Sequence, residues 1–187
     1  MTATPDASRL LKVARLGHPA IRRTSEPVTD QQLSSQAVQA LIDDMVATMR
    51  DADGVGIAAP QVHVPMQIIV IEVDGENRRY PGQPAVPLTV IVNPRLEAHG
   101  QEVLDGWEGC LSVPELRGRV PRWSRVTVSG LDRDARPLEL EAHGFFARVI
   151  QHEVDHLNGR VFLDRMPDLS TLTHLREWQR FWLQDAV

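Results

Sequence analysis

The sequence is poor in the features that would place a chain outside the ordinary globular class. Its longest apolar run, Ile68–Ile71, has four residues, far short of the roughly 20 that a membrane-spanning helix needs. The first residues, MTATPDASRLLKVARLG, lack the apolar core of about 7–15 residues that marks a secretory signal. There is no internal repeat and no low-complexity tract. Cysteine occurs once, at Cys110. An internal disulfide is therefore excluded, and a reducing, cytoplasmic setting is expected. Lysine also occurs once, at Lys12, while the other 19 of the 20 basic residues are arginine; codon bias accounts for that. Positive charge is in deficit, with a net charge of −5 and a pI near 5.8, which argues against nucleic-acid binding.

What is present is enough for a core. The chain has 187 residues, 42% hydrophobic and 24% charged, as expected of one globular domain rather than a disordered chain. Residues 1–8 read as loose and polar. His18-Pro19 begins an irregular or one-turn segment ending near Pro27. Thr29 or Asp30 can cap a helix carrying Val38, Leu41, Ile42, Met45 and Met49 on one face. Gln67–Val73 and Leu88–Val92 read as strands, the second closed by Asn93-Pro94, with a loop over 75–87 between them. Segments 95–105, 119–130 and 137–142 read as further strands, turning at His99-Gly100 and at Asp132–Asp134. Pro121 demotes its segment to an edge or bend. A helix is expected over about 145–157, ended by Asn158-Gly159. A last one, capped by Asp168 or Ser170, should run to about 184 with an apolar stripe of Leu172, Leu175, Trp178 or Phe181, and Trp182. Strands grouped between helices predict an α+β fold, with antiparallel or mixed sheets around a central helix and a helix near each end.

His152-Glu153-Val154-Asp155-His156 carries the strongest chemical signal. Histidines at i and i+4 lie about 40° apart on a helix, so both can reach one metal ion. Glu153, about 100° round from His152, falls beside such an ion, where a general base for a water belongs. A catalytic site of this kind needs a third protein ligand. In one large peptidase class it is a histidine ten residues after the first; here that residue is Phe162. Cys110, in Glu108-Gly109-Cys110-Leu111-Ser112, is the one soft donor, and a thiolate with two imidazoles is a reasonable set. A buried structural cysteine is the plainer alternative. Gly54–Gln61, GVGIAAPQ, allows close backbone approach. It is neither a P-loop nor a dinucleotide fingerprint. Gln61 is either an oxyanion donor or an ordinary loop residue.

Together, GVGIAAPQ at 54–61, EGCLS at 108–112 and QHEVDHL at 151–157 resemble the peptide deformylases, in order and spacing, over about residues 10–170. The resemblance implies a metal-dependent hydrolase that removes the formyl group from the formylmethionine end of nascent polypeptides as formate. It implies Cys110, His152 and His156 as metal ligands with water in the fourth position. The metal would be ferrous iron (Fe2+), with zinc (Zn2+) or nickel (Ni2+) able to replace it. Glu153 would be the acid–base residue, and the Gln61 side chain and Leu111 backbone N–H the oxyanion donors. Val55, Phe145 and Val149 would line the methionine pocket and Gly56 would pair with an extended peptide. Arg117 would lie near the peptide's exit, and Glu108 with Arg122 would steady the metal site. Arg148 stands where bacterial members often carry an aliphatic residue; its stem would pack while its guanidinium reaches outward. A bacterial cytoplasmic location is implied, and related enzymes can dock at the ribosome through a C-terminal helix, here 168–187. Two other readings remain: a zincin-like endopeptidase, which leaves two of the three motifs without purpose, and a non-catalytic metal- or peptide-binding module, which does not require Glu153 and Gln61.

Overall fold

The computed structural model describes residues 8–74, 80 and 82–183; residues 1–7, part of the 75–87 loop and 184–187 lie outside this range. After a 3-10 turn at Pro19–Arg22, Thr29 caps α1 (Asp30–Leu33) with a reciprocal bond to Gln32. Ser35 then caps α2 (Gln36–Asp51). The N-terminal helical region is thus two helices with separate caps. Val38, Ile42, Met45 and Met49 form the buried face of α2.

Five strands form one antiparallel sheet in the order β1-β2-β3-β6-β7: β1 (Gly56–Ala58), β2 (Ile68–Val73), β3 (Val86–Ala98), β6 (Arg125–Leu131) and β7 (Pro137–His143). Both faces of β2 are covered. Ile68 and Val70 pack with α2, whereas Ile69 and Ile71 pack with α3 (Gly144–Leu157). A strand buried on two faces cannot alternate apolar with polar, which explains the run at 68–71. The second sheet is β4-β5-β8: β4 (Val103–Cys110), β5 (Val113–Trp123) and the short β8 (Thr173–His174). Helix α3 lies between the sheets, in contact with strands of both.

Several boundaries differ from the sequence expectation. Asn93-Pro94 does not close β3. Asn93 adopts φ 53° and the register with β6 shifts there, so the strand bends through a bulge and continues to Ala98. The Asn93 side chain bonds both backbone groups of Val28, which holds the bend. The 95–105 segment is divided between β3 and β4 at the expected His99-Gly100 turn, and the 119–130 segment breaks at Ser124. Pro121 sits where β5 pairs with β4 alone. The last helix, α4, is short (Leu175–Phe181) and is capped by His174, not Asp168 or Ser170. Residues before it pair Thr173 and His174 with β5; that pairing takes the backbone groups a longer helix would use. Among the described residues no helix is long and apolar enough to cross a membrane.

Candidate metal centre and its cleft

Cys110 is the last residue of β4, at the tight turn into β5, where Cys110 pairs with Val113. Its Sγ accepts the Ser112 N–H at 3.3 Å and lies 3.2 Å from His156 Nε2. One donor atom each from Cys110, His152 and His156 lies within 4.8 Å of the others, all buried. Burial raises the thiol pKa, but His156 and His152 outweigh it and hold Cys110 well below its ordinary value. A buried thiolate with two converging imidazoles is the donor chemistry a divalent transition ion requires, so the residues fit such an ion. Phe162, at the position of the peptidase-type third ligand, instead stacks beside His152, with ring centroids 6.5 Å apart.

The support around these donors is built from buried ion pairs. The Glu108 carboxylate accepts His152 Nδ1–H at 2.8 Å, which aims the other ring nitrogen at the centre. Arg122 donates to both Glu108 oxygens at 2.9 and 3.0 Å and to Asp155 at 2.5 Å; Arg165 holds Asp155 from the far side. Burial alone would raise the Glu108 pKa, but His152 and Arg122 drive it far below the carboxylate range. The same competition, with Arg165 and Arg122, lowers Asp155.

Glu153 sits in the cleft wall beside the donors. Its Oε2 is buried and finds no hydrogen-bond partner among the described residues. Burial pushes its carboxyl up to about 7, against the lowering effect of His152 and His156. A carboxyl poised near neutrality with a lone pair unspent is suited to proton transfer. Gln61 is fixed in the same space. Its Oε1 accepts the Ala58 N–H at 2.8 Å, which turns Nε2 toward Ser112 Oγ at 3.2 Å and Cys110 Sγ at 3.6 Å. Leu111 follows Cys110 in the turn and borders the same cleft.

Val55, Gly56, Phe145 and Val149 all line this cleft. Arg117 is buried, and Arg148 does not lie where the sequence suggested. Arg117 is 2% exposed and absent from the cleft lining, its guanidinium between the rings of Tyr80 (4.6 Å) and Trp178 (5.0 Å). Arg148 does not reach outward: it turns in to Glu108 at 2.9 Å and to backbone carbonyls of β4 and β5. The sequence reading assigned no role to Tyr80, Ser112, Asp155 or Arg165. Ser112 and Asp155 stood inside the motifs. Tyr80 carried no local signal, since its partner Gly109 is 29 residues away, and Arg165 lies outside the motifs, ten residues from Asp155.

Three donors on a helix and a strand, a carboxylate beside them and an amide across the cleft define a single-metal hydrolase. The polypeptide deformylase family model matches residues 10–171. Peptide deformylase 1 of Bordetella pertussis is 47% identical over 158 residues, which is 84% of this chain and 88% of that protein. A solved class I type b peptide deformylase from Acinetobacter baumannii, bound to Met-Ala-Ser, superposes with a TM-score of 0.82 at 42% identity, covering 85% of this chain and 99% of that one. A Synechococcus elongatus peptide deformylase in complex with actinonin gives 0.77 at 33% identity, over 100% and 95% of the two chains. The chain belongs to the polypeptide deformylase family, metalloenzymes that hydrolyse the formyl amide at the start of new polypeptides.

Proposed function

We propose that this chain, as one catalytic unit, binds the N-formylmethionyl end of a nascent polypeptide and hydrolyses the formyl amide through Glu153, Gln61 and Leu111. The observation that carries this assignment is the convergence of the Cys110, His152 and His156 donors beside a Glu153 oxygen that has no hydrogen-bond partner among the described residues. Cys110, His152 and His156 would hold a divalent ion, for which ferrous iron is proposed, with zinc or nickel as substitutes. When bound, such an ion supplies Lewis acidity and makes water a nucleophile near neutral pH.

The protein's own groups do the rest. β1 is an edge strand whose only partner among the described residues is β2, so the peptide can add beside Gly56 as a further strand. The first side chain enters between Val55, Phe145 and Val149. Glu153 takes the proton of the attacking water. Gln61 Nε2 and the Leu111 N–H donate to the formyl oxygen as it gains negative charge. Glu153 then returns its proton to the amine nitrogen as the C–N bond breaks, leaving formate and a free α-amine. Arg122 and Glu108 position His152, and Arg117 stands near the peptide's exit. The Met-Ala-Ser bound to the Acinetobacter relative has the form of the peptide product this reaction would leave.

A bacterial cytoplasmic location belongs to the same proposal, since formylated chains are made there. So does a transient ribosome contact through α4, supported by the exposed Phe181 and Trp182; loss of ribosome pelleting in a Phe181→Ala/Trp182→Ala variant would test it. The test of function is formate release from a formyl-Met tripeptide by protein purified without oxygen and loaded with ferrous iron. The acetylated peptide is the control. Formate without acetate supports the proposal, and no formate from folded, metal-loaded protein overturns it.

A further inference from the structure

Two depressions meet beside the metal centre. One is the cleft walled by Val55, Phe145 and Val149. The other is a groove lined by Trp107, Trp123, Trp178 and Trp182. Tyr80, Phe145 and Arg148 belong to both, and Arg148 is firmly anchored. Its Nη1 donates to Glu108 Oε1 at 2.9 Å and to the Val120 carbonyl at 2.7 Å, while Nη2 donates to the Leu104 carbonyl at 2.7 Å. The guanidinium rests against Gly106. A Cβ there would stand 2.8 Å from Nη2 and 2.9 Å from Cζ, so the seat exists because residue 106 has no side chain.

We propose that Arg148 is a specificity-determining residue for the substrate's first side chain: its anchored guanidinium is the partition that ends the Val55–Phe145–Val149 pocket and shuts it off from the tryptophan groove. The inference rests on the deformylase reading above. A loose arginine could swing aside for a large side chain. This one could do so only by leaving a buried carboxylate and two carbonyls, which is costly. The guanidinium nonetheless suits an apolar visitor. Nη1 spends its N–H groups on Glu108 and Val120 and Nη2 donates to Leu104, and the guanidinium plane is weakly hydrated. The partition therefore admits an unbranched side chain of methionine length and resists a bulkier one. Shortening Arg148 would join the two depressions and let an aromatic first residue extend toward the tryptophans.

The experiment compares kcat and KM for formyl tripeptides beginning with Met, norleucine, Phe or Trp. The metal-loaded wild type is set against Arg148→Ala, Arg148→Met and Gly106→Ala. Ratios between peptides are the readout. Any loss transmitted through Glu108 to His152 is common to every peptide and cancels. In Arg148→Ala the Phe-to-Met and Trp-to-Met ratios of kcat/KM should rise by about tenfold or more, mainly through KM. Arg148→Met, which refills part of the space, should show a smaller rise. Gly106→Ala, which forces the guanidinium from its seat while deleting nothing, should also change the ratios. If Arg148→Ala does not fold, the other two variants carry the test. Ratios that stay within about twofold of wild type in the folded variants overturn the proposal. A wild type that releases formate from none of the peptides overturns the deformylase reading instead.

Discussion

Glu153 occupies the space in which a side chain on Gly56 would stand: an added Cβ would lie 2.3 Å from Glu153 Oε1 and 2.8 Å from its carboxyl carbon. The glycine of β1 and the acid of α3 are thus one unit. Gly56→Ala should displace the carboxylate by about an ångström and lower kcat/KM by about a hundredfold. Metal content should be unchanged, because Glu153 is not among the three donors. Kinetics with metal analysis of the same sample checks both halves, and a fully active Gly56→Ala enzyme would break the link.

Removing the acid itself gives the sharper loss. Glu153→Gln keeps shape but cannot take a proton, so kcat should fall by about 10²–10⁴-fold. Peptide affinity should survive. Unchanged formate release would contradict the assigned role.

The Glu108–Arg122–Asp155 network predicts a different pattern. Glu108→Gln leaves the Arg122 and Arg148 guanidinia buried against a neutral amide. Destabilisation of about 3–5 kcal/mol is expected, together with a drop in metal affinity of about 10–100-fold as His152 loses its orienting partner. Chemical denaturation and competition with a metal-binding dye read the two effects separately. Loss of stability with no change in affinity would confine Glu108 to a structural part.

Chelation should act on folding as well as on activity. A ligand that binds only the folded state at about a hundred times its Kd stabilises it by about 2.7 kcal/mol. Stripping the metal should therefore lower Tm, and ferrous iron, zinc or nickel should each restore it. Cys110→Ser should be largely insensitive to both treatments. Equal Tm with and without metal would count against the three-donor site.

At the chain's other end, Asp164 pairs with Arg22 and accepts the Val161 N–H. Burial raises its pKa, but Arg22 and the N–H outweigh that, so the folded value is lowered. A lowered carboxylate stabilises the fold above its unfolded pKa of about 3.9, and the effect fades as pH falls through the folded value. Asp164→Asn should therefore cost stability at neutral pH, modestly because the pair is partly solvated. The difference from wild type should vanish in acid. Denaturation midpoints at the two pH values decide it.

The legible parts of this molecule were those whose meaning is local. His152, Glu153 and His156 sit within little more than one turn of one helix, and Thr29 and Asn158 mark helix ends from within their own segments. The three motif segments also named the cleft walls Val55, Gly56 and Gln61. Arg148 was read as reaching outward because an isolated arginine usually does, and Arg117 was placed only near the peptide's exit. What turns Arg148 inward is Leu104, Glu108 and Val120, on two other strands. What buries Arg117 is Tyr80 and Trp178, from a loop and the last helix. Asn93-Pro94 reads locally as a stop; only pairing with β6 and the clasp on Val28 make it a bend.

The separation of the donors along the chain has a temporal meaning. Cys110 and His156 meet across 46 residues, and the residues before α3 supply only one of the three donors. A metal ion bound here acts as a reversible staple on a long loop, and closing such a loop removes freedom from the unfolded chain. During synthesis the ion has nowhere to settle until α3 has been made and laid between the two sheets. Metal capture is then a closing act of folding rather than its seed, and the ion certifies that sheet, hairpin and helix have already come together.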